Sequence, residues 1–135
     1  MKTSKGEQKV IDILQKEKLN FTREVSFLDL QSYRGGRPRF DFVVYKGTLR
    51  EIDFIIEFDG EQHFRSTKVF GNSEFKYRQS LDRLKNSYCL ARGIKLYRIP
   101  FYDYDKINSL RDILLPQYLV TTKWHNDIIR ENLTK

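Results

Sequence analysis

The spacing of apolar residues predicts a helix and three strands in the first half of the chain. Apolar residues recur at helical spacing behind Ser4, a candidate N-cap, and indicate a helix over about residues 5–18. Alternation of apolar and polar residues then predicts three strands, over residues 21–27, 40–45 and 51–58. The first pattern has the period of a helix and the second that of a strand, so the chain is expected to mix helix and sheet.

The second half of the chain continues with helix, strand and helix. A long apolar stripe predicts a helix over residues 74–92, and Gly93 follows it at the position that favours a helix C-terminus. A strand is indicated over residues 94–99, and further helices over residues 104–115 and 123–132. The order α-β-β-β-α-β-α predicts an α/β fold of the mixed α+β kind, with a mixed central sheet flanked by helices.

Two irregular segments interrupt this order. Residues 33–39 contain three arginines and no acid, and their glycines and proline disfavour a regular element. Residues 59–73 follow the third strand and are polar, with two glycines. We expect the second segment to be an irregular loop beside any site at the end of that strand.

Size and composition favour one globular domain with a polyanionic partner. The 135 residues include 39% hydrophobic residues, with ten Phe and eight Tyr, which suffices for a packed core. We expect one domain over residues 1–135, in which residues 117–135 form a C-terminal helical arm. The net charge of +7 favours nucleic acid as a partner, although many small proteins are basic without binding a polyanion.

The chain carries no recognisable export signal or membrane span. No apolar run follows the basic start, and no stretch approaches the roughly 20 apolar residues that a spanning helix needs. The single cysteine, Cys89, cannot form an internal disulfide, which fits a reducing compartment. We therefore expect a cytoplasmic protein that does not associate with membranes.

Carboxylates on neighbouring predicted strands form the first candidate site. Asp41 lies on the polar face of the second strand and Glu57 on that of the third, opposite the core-facing set from Ile52 to Phe58. Adjacent antiparallel strands bring such side chains close together, where like charges are destabilising unless a cation lies between them. Carboxylate oxygens suit Mg²⁺, and Mn²⁺ can substitute. Asp59 continues the same face as Glu57. The alternative is that Asp53, Glu57 and Asp59 line a solvated strand face opposite basic side chains.

Several other polar residues have both an ordinary and a functional interpretation. His63 lies just beyond the third strand, where an imidazole could move a proton, although a lone histidine is usually structural. Asp82 and Asn86 lie four apart on the long helix, a spacing that ion pairing on an exposed face explains equally well. Glu7 fits a capping box with Ser4. None of these residues alone defines a site.

Three segments of the sequence resemble a known family: IIEFDGEQHF, RQSLDRLKNSYC and GIKLYRIPF. They are similar to the endonuclease domain of the very short patch repair endonucleases and, more closely, to phage homing endonucleases with an EDxHD pattern, within the PD-(D/E)XK superfamily. The similarity covers about residues 6–101. It implies a restriction-endonuclease-like core and Mg²⁺-dependent hydrolysis of DNA phosphodiester bonds, as nicks or double-strand cuts, leaving a 5′-phosphate.

Carried over residue by residue, the resemblance implies a catalytic set. The EDxHD acids and histidine fall on Glu7, Asp41, His63 and Asp82, and the superfamily's metal-binding acids fall on Asp41 and Glu57. The backbone carbonyl of Phe58 is implied as a further metal ligand. Asp59, which lies beside Glu57 on the same face, is added to this set. The candidate catalytic residues are therefore Glu7, Asp41, Glu57, Asp59, His63 and Asp82.

Two positions depart from the superfamily pattern. Phe40 stands where a proline usually precedes the first acid, and Asp59 occupies the position of the superfamily's lysine. The usual positive charge is therefore expected from elsewhere. His63 is one candidate for the missing role, and Lys68 and Lys85 are others.

Double-stranded DNA is the expected partner. Arginines of the basic loop would neutralise backbone phosphates and give salt-sensitive binding that is largely independent of sequence. The expected DNA contacts are Arg34, Arg37, Arg39, Lys68, Arg78, Lys85 and Asn86. A catalytically silent nucleic-acid-binding or nuclease-interfering protein of the same fold is the main alternative, and a purely protein-binding role is another. Whether the active form is a homodimer stays open.

Overall fold

The regular elements follow one another as helix, three strands, helix, strand and helix. The computed structural model describes residues 2–48, 50–60 and 71–126. Its elements are α1 (Lys5–Lys16), β1 (Asn20–Val25), β2 (Phe40–Lys46), β3 (Glu51–Asp59), α2 (Gly71–Arg92), β4 (Lys95–Pro100) and α3 (Leu110–Ile113). Short 3-10 turns at Phe101–Lys106 and Pro116–Tyr118 precede and follow α3. The predicted mixture of helix and sheet is confirmed.

The four strands form one mixed sheet in the order β1-β2-β3-β4. β1 pairs with β2, and β2 with β3, in antiparallel fashion, whereas β3 and β4 run parallel. A parallel pair requires a crossover connection, and α2 lies between β3 and β4 in the chain. The carboxyl ends of β3 and β4 therefore meet the amino end of β2 at one end of the sheet.

Helices cover both faces of this sheet. One buried cluster joins α1 and the segment after β4 to the first face, and includes Val10, Leu14, Phe42, Ile56 and Ile113. The second cluster joins α2 to the opposite face, and includes Phe40, Ile55, Tyr88, Cys89 and Leu96. The expectation of a polar second face was wrong at Ile55, which is fully buried because α2 packs there.

The pairing of β2 with β3 contains one irregularity. Val44 pairs with Phe54 and Tyr45 with Ile52, so the register shifts by one residue between the two pairs. At this bulge, β3 side chains before and after the extra residue no longer alternate regularly between the two faces of the sheet. As a result Ile52, which the sequence places on the same face as Phe54, packs with the α2 cluster instead.

Local signals determine where α1 begins and ends. Ser4 Oγ accepts a hydrogen bond from the Glu7 N–H, and the Glu7 carboxylate accepts one from the Ser4 N–H, both at 3.1 Å. The predicted capping box is therefore confirmed. The helix ends at Lys16 rather than Lys18, because Lys18 adopts a left-handed backbone with φ 56°.

The end of α2 also follows its sequence signal. Gly93 has φ 67°, which favours glycine, and the Ile94 N–H donates to the Cys89 carbonyl at 2.9 Å. The helix begins at Gly71, three residues before the predicted start. In the part of the chain that the structure describes, no helix is both long and apolar enough to cross a membrane.

Other element boundaries differ from the prediction. β1 ends at Val25, because Phe27 leaves the sheet and its ring stacks on Tyr88 of α2 at 5.2 Å. The single helix predicted over residues 104–115 was wrong. The Asp112 carboxylate accepts hydrogen bonds from the backbone N–H groups of Asn108 and Ser109, which caps a separate short helix at that point.

The predicted C-terminal arm is described only in its first turn. Residues 122–126 are helical, and the His125 N–H donates to the Thr121 carbonyl at 2.9 Å. The buried His125 ring lies against Asn86 and Ser87 of α2, with atoms at 3.4 and 3.3 Å. This turn therefore docks on α2, and the rest of the arm lies outside the described residues.

The close approach of α1 to β3 at Gly6 leads to a prediction on stability. A Cβ added to Gly6 would overlap the Phe58 ring, so Gly6→Ala must displace the helix or the ring. We expect the free energy of unfolding to fall by about 1–3 kcal/mol, as measured by urea denaturation. Gly36→Ala is the matched control, because the nearest atom to its Cβ would be 3.8 Å away. Equal losses in the two variants would contradict the packing at Gly6.

Candidate active site

Asp41 and Glu57 lie side by side where β2 begins and β3 ends. The antiparallel pairing of Phe42 with Ile56 brings the two acids opposite each other. Asp41 Oδ2 accepts a hydrogen bond from the Phe58 N–H at 2.8 Å. The structure therefore brings together the first two acids of the predicted site.

Burial and the neighbouring Glu57 disfavour the charged form of Asp41. Burial raises the pKa of Asp41 to about 9, and the charge of Glu57 contributes to the rise. Glu57 itself is 2% exposed. The Phe58 N–H and the Lys85 charge favour the ionised form of Asp41 but are outweighed. The pair therefore accepts one negative charge readily and resists a second.

Lys85 brings a positive charge to this acid pair from α2. Its Nζ lies 2.9 Å from Glu57 Oε1, and both residues are buried. Burial alone would lower the pKa of Lys85, but the charge of Glu57 outweighs it and the pKa is raised. The sequence named Lys85 both as a substitute for the missing lysine and as a DNA contact. Its position is inside the site rather than on the outer surface that the second role requires.

Asp59 is directed into a buried network around Arg98 of β4. Arg98 Nη1 lies 2.9 Å from Asp59 Oδ1 and 3.5 Å from Asp82 Oδ1. Arg98 Nε donates to Asn86 Oδ1 at 2.8 Å. Asn86, expected as a DNA contact, is thus buried and occupied by Arg98. Asp59, which the resemblance aligned with the superfamily's lysine, is thus the partner of an arginine.

Glu7 and Glu24 extend the acidic set toward α1. Among the described residues, Glu7, Glu24 and Asp41 each place a carboxylate oxygen within 4.8 Å of the other two. Glu7 also lies 3.3 Å from Arg23 Nη2, in addition to its capping role. The predicted position of Glu7 near Asp41 therefore agrees with the geometry, while its function stays a prediction.

Sequence analysis missed two residues of this region, Glu24 and Arg98. Pairing of β1 with β2 joins Arg23 to Phe42 and Val25 to Phe40, which places Glu24 opposite Asp41. These strands are consecutive, but the long connection between them leaves their register without a local signal. Arg98 did have one: a charged residue in an otherwise apolar strand indicates a buried ion pair.

A pocket opens beside the acids, between the start of α1 and the end of the sheet. Its volume is about 600 Å³, which falls within the range of ligand sites. The residues that line it include Lys5, Glu7, Asp41, Glu57, Lys85 and Tyr104. Acids, cations and an aromatic ring thus share one opening to solvent.

The remaining predicted residues are spread over other parts of the chain. His63 and Lys68 lie outside the described residues, so their roles stay predictions, as does the Phe58 carbonyl ligand. Arg34 Nη1 lies 2.9 Å from Glu74 Oε1, and Arg78 is half-buried on α2. The structure leaves Arg37 and Arg39 exposed, as a DNA-contact role requires.

Comparisons with known proteins identify no relative of the chain. No protein-family model, curated protein or solved structure matches the chain. Function is therefore inferred from the chemistry of the site.

Proposed function

We propose that the protein is a metal-dependent endonuclease that hydrolyses DNA phosphodiester bonds on a restriction-endonuclease-like core. One observation carries the proposal: the carboxyls of half-buried Asp41 and buried Glu57 lie on paired strands and line an open pocket, and Lys85 binds Glu57. Buried like charges are destabilising. A function that needs a dication at this point accounts for their placement, and the mixed four-stranded sheet is compatible with the proposed core.

The donor set fits Mg²⁺, with Mn²⁺ as a substitute. Asp41 and Glu57 provide hard oxygen ligands, and a bound dication would offset both the burial and the charge of Glu57 that raise the pKa of Asp41. When bound, the metal would polarise the scissile phosphate and lower the pKa of a bound water. Glu7 and Glu24 lie close enough to Asp41 to orient groups around it.

The chain's own residues have distinct roles in the proposed reaction. Lys85 holds the Glu57 carboxylate in place through their contact at 2.9 Å and would bring a positive charge near the developing charge of the phosphate. The Phe58 N–H holds the Asp41 carboxyl in a fixed orientation. His63 is proposed to transfer a proton to or from the reacting oxygens, with Asp82 orienting it.

Double-stranded DNA is the proposed substrate. The net charge of +7 and the exposed Arg37 and Arg39 support binding to phosphates. A nucleic-acid-binding or nuclease-interfering protein without catalysis is the alternative, and it would bind DNA without cutting it. Cleavage therefore separates the two proposals.

The experiment is nicking of supercoiled plasmid with Mg²⁺, Mn²⁺ or EDTA. We expect cleavage with either metal, none in EDTA, and a loss of at least about 100-fold in Asp41→Ala, because one of the two carboxylate ligands of the metal is removed. Asp53→Ala is the matched control, since Asp53 is an exposed acid on β3 and should leave the rate unchanged. Cleavage in EDTA, or by Asp41→Ala at the wild-type rate, would refute the mechanism.

A further inference from the structure

Residues 27–39 form a segment between β1 and β2, here called the β1–β2 arm, that ends in a closed turn. The Gly35 N–H donates to the Ser32 carbonyl at 2.9 Å, and the Ser32 N–H donates to the Gly36 carbonyl at 2.8 Å. Gly35 has φ 91°, which glycine adopts readily. Tyr33 and Arg34 therefore occupy the two central positions of a hydrogen-bonded turn, at the tip of the arm.

The tip of the arm is held against the first turns of α2. The hydroxyl groups of Ser32 and Tyr77 are hydrogen-bonded at 2.7 Å. The Arg34 guanidinium lies 2.9 Å from Glu74 and 4.0 Å from the centre of the Tyr77 ring. The arm is thus ordered before any partner binds, which lowers the entropic cost of binding.

Tyr33 is presented to solvent by this arrangement. Its residue is 73% exposed, and its ring meets Tyr77 edge to face at 5.3 Å and 89°. The Arg34 guanidinium also lies over the Tyr33 ring, 5.8 Å from its centre, but at this exposure most of the residue remains accessible to a partner. An aromatic face in a basic segment is the combination with which proteins stack on bases of nucleic acids.

The cations of the arm differ in their surroundings. Arg34 is neutralised by Glu74, whereas Arg37 and Arg39 are exposed and form no ion pair within residues 2–48, 50–60 and 71–126. Arg39 precedes Asp41 by two residues, so their Cα atoms are at most about 7 Å apart. The free charge of the arm is therefore concentrated next to the candidate active site.

We propose that Tyr33 stacks on an unpaired or partly unstacked DNA base, while Arg37 and Arg39 bind the phosphates between that base and the cleavage site. The distance between Tyr33 and the candidate site follows from α2. Tyr77, which contacts Tyr33, precedes Lys85 of the site by eight residues, or about 12 Å along the helix axis. That distance corresponds to about three or four nucleotides at 3.4 Å each. Arg34 is assigned as a positioning residue that holds the turn. The choice of DNA as partner rests on the proposed function, but stacking does not require catalysis.

The test measures binding in EDTA, where the proposed cleavage cannot occur. Fluorescence anisotropy would compare a fully paired labelled duplex with the same duplex carrying a three-base mismatched bubble. We expect wild type to prefer the bubble by about 5- to 100-fold, and Tyr33→Ala to lose that preference, since stacking on one aromatic ring contributes this much. Tyr33→Phe should retain it, because the ring remains.

Control variants separate stacking from general effects. Leu28→Ala removes another side chain of the arm, 85% exposed, and should keep the preference. Arg37→Ala and Arg39→Ala should each reduce the slope of log K against log salt by about 0.9, whereas Arg34→Ala should lose the bubble preference with little change in slope. Circular dichroism and thermal melting would verify that each variant is folded.

The outcomes are distinguishable from those of the nuclease test. Tyr33→Ala binding both duplexes like wild type would overturn the stacking assignment, whatever the plasmid assay shows. Equal losses in Leu28→Ala and Tyr33→Ala would do the same, because they would indicate a nonspecific apolar surface. A slope change in Arg34→Ala as large as that in Arg37→Ala would overturn the positioning role of Arg34.

Discussion

Replacing Asp41 by asparagine should stabilise the metal-free protein at pH 8. The pKa of Asp41 is raised from the ordinary value of 3.8 to about 9, mainly by burial and then by the charge of Glu57. A folded-state pKa above that of the unfolded chain means that folding favours the protonated carboxyl. The stability contributed by this group is complete below about pH 4 and is lost progressively as pH rises toward about 9. Asparagine has nearly the same shape as aspartic acid and stays neutral at every pH, so it avoids this loss of stability.

The expected gain for Asp41→Asn in EDTA at pH 8 is on the order of 1–3 kcal/mol, and it should vanish at pH 4.5. Wild type should in turn gain stability on addition of Mg²⁺, because the ion binds only the folded form, and the variant should not. Urea denaturation at both pH values, with and without Mg²⁺, measures all these quantities. A variant less stable than wild type in EDTA at pH 8 would contradict the raised pKa of Asp41.

Arg98→Met should be the most destabilising of the substitutions considered. It removes the guanidinium that contacts Asp59 at 2.9 Å, Asp82 at 3.5 Å and Asn86 at 2.8 Å. Breaking a buried ion pair by removing one partner costs about 3–5 kcal/mol, because a buried charge loses its compensation. We expect a loss of this size in the free energy of unfolding, or a chain that does not fold at 37 °C.

Two further variants make the Arg98 prediction specific. Lys46→Met removes a cation whose pairing with Glu51, at 4.0 Å, is largely exposed, and should cost less than about 1 kcal/mol. The double variant with Asp59→Asn and Arg98→Met should recover part of the loss, because both charges are then absent. Thermal melting of the three variants beside wild type measures these losses. Similar losses for Lys46→Met and Arg98→Met would refute the prediction that the buried Arg98 ion pairs contribute more to stability.

Much of the fold was predictable because its signals are local. The capping box at Ser4 and Glu7, the glycine after α2 and the alternation in β2 and β3 all act through neighbours in the chain. The prediction of one helix over residues 104–115 was wrong, and the cause is also a local interaction. Asp112 forms a cap with Ser109 there, and this local hydrogen bonding competes with a continuous helix.

The candidate site was predictable only in part. Asp41 and Glu57 lie on consecutive antiparallel strands, and such strands usually pair, so their proximity followed from the pattern. The partners of these acids were harder to predict: Lys85 comes from α2, and Glu24 comes from β1, whose register with β2 no local signal determines. Nothing near Lys85 in the sequence distinguishes it from a solvated residue on a polar stripe. Its role depends on how α2 packs on the sheet, which is a tertiary property.

The bulge between Val44 and Tyr45 has a consequence for how this sequence can diverge. It separates the β2–β3 hairpin into a tip around Gly47 and a base that carries Asp41 and Glu57. A residue gained or lost at the tip can be absorbed at the bulge, whereas one lost between Phe54 and Glu57 would turn that glutamate to the other face of the sheet. Relatives of this chain should therefore vary in hairpin length while keeping the spacing of the base constant.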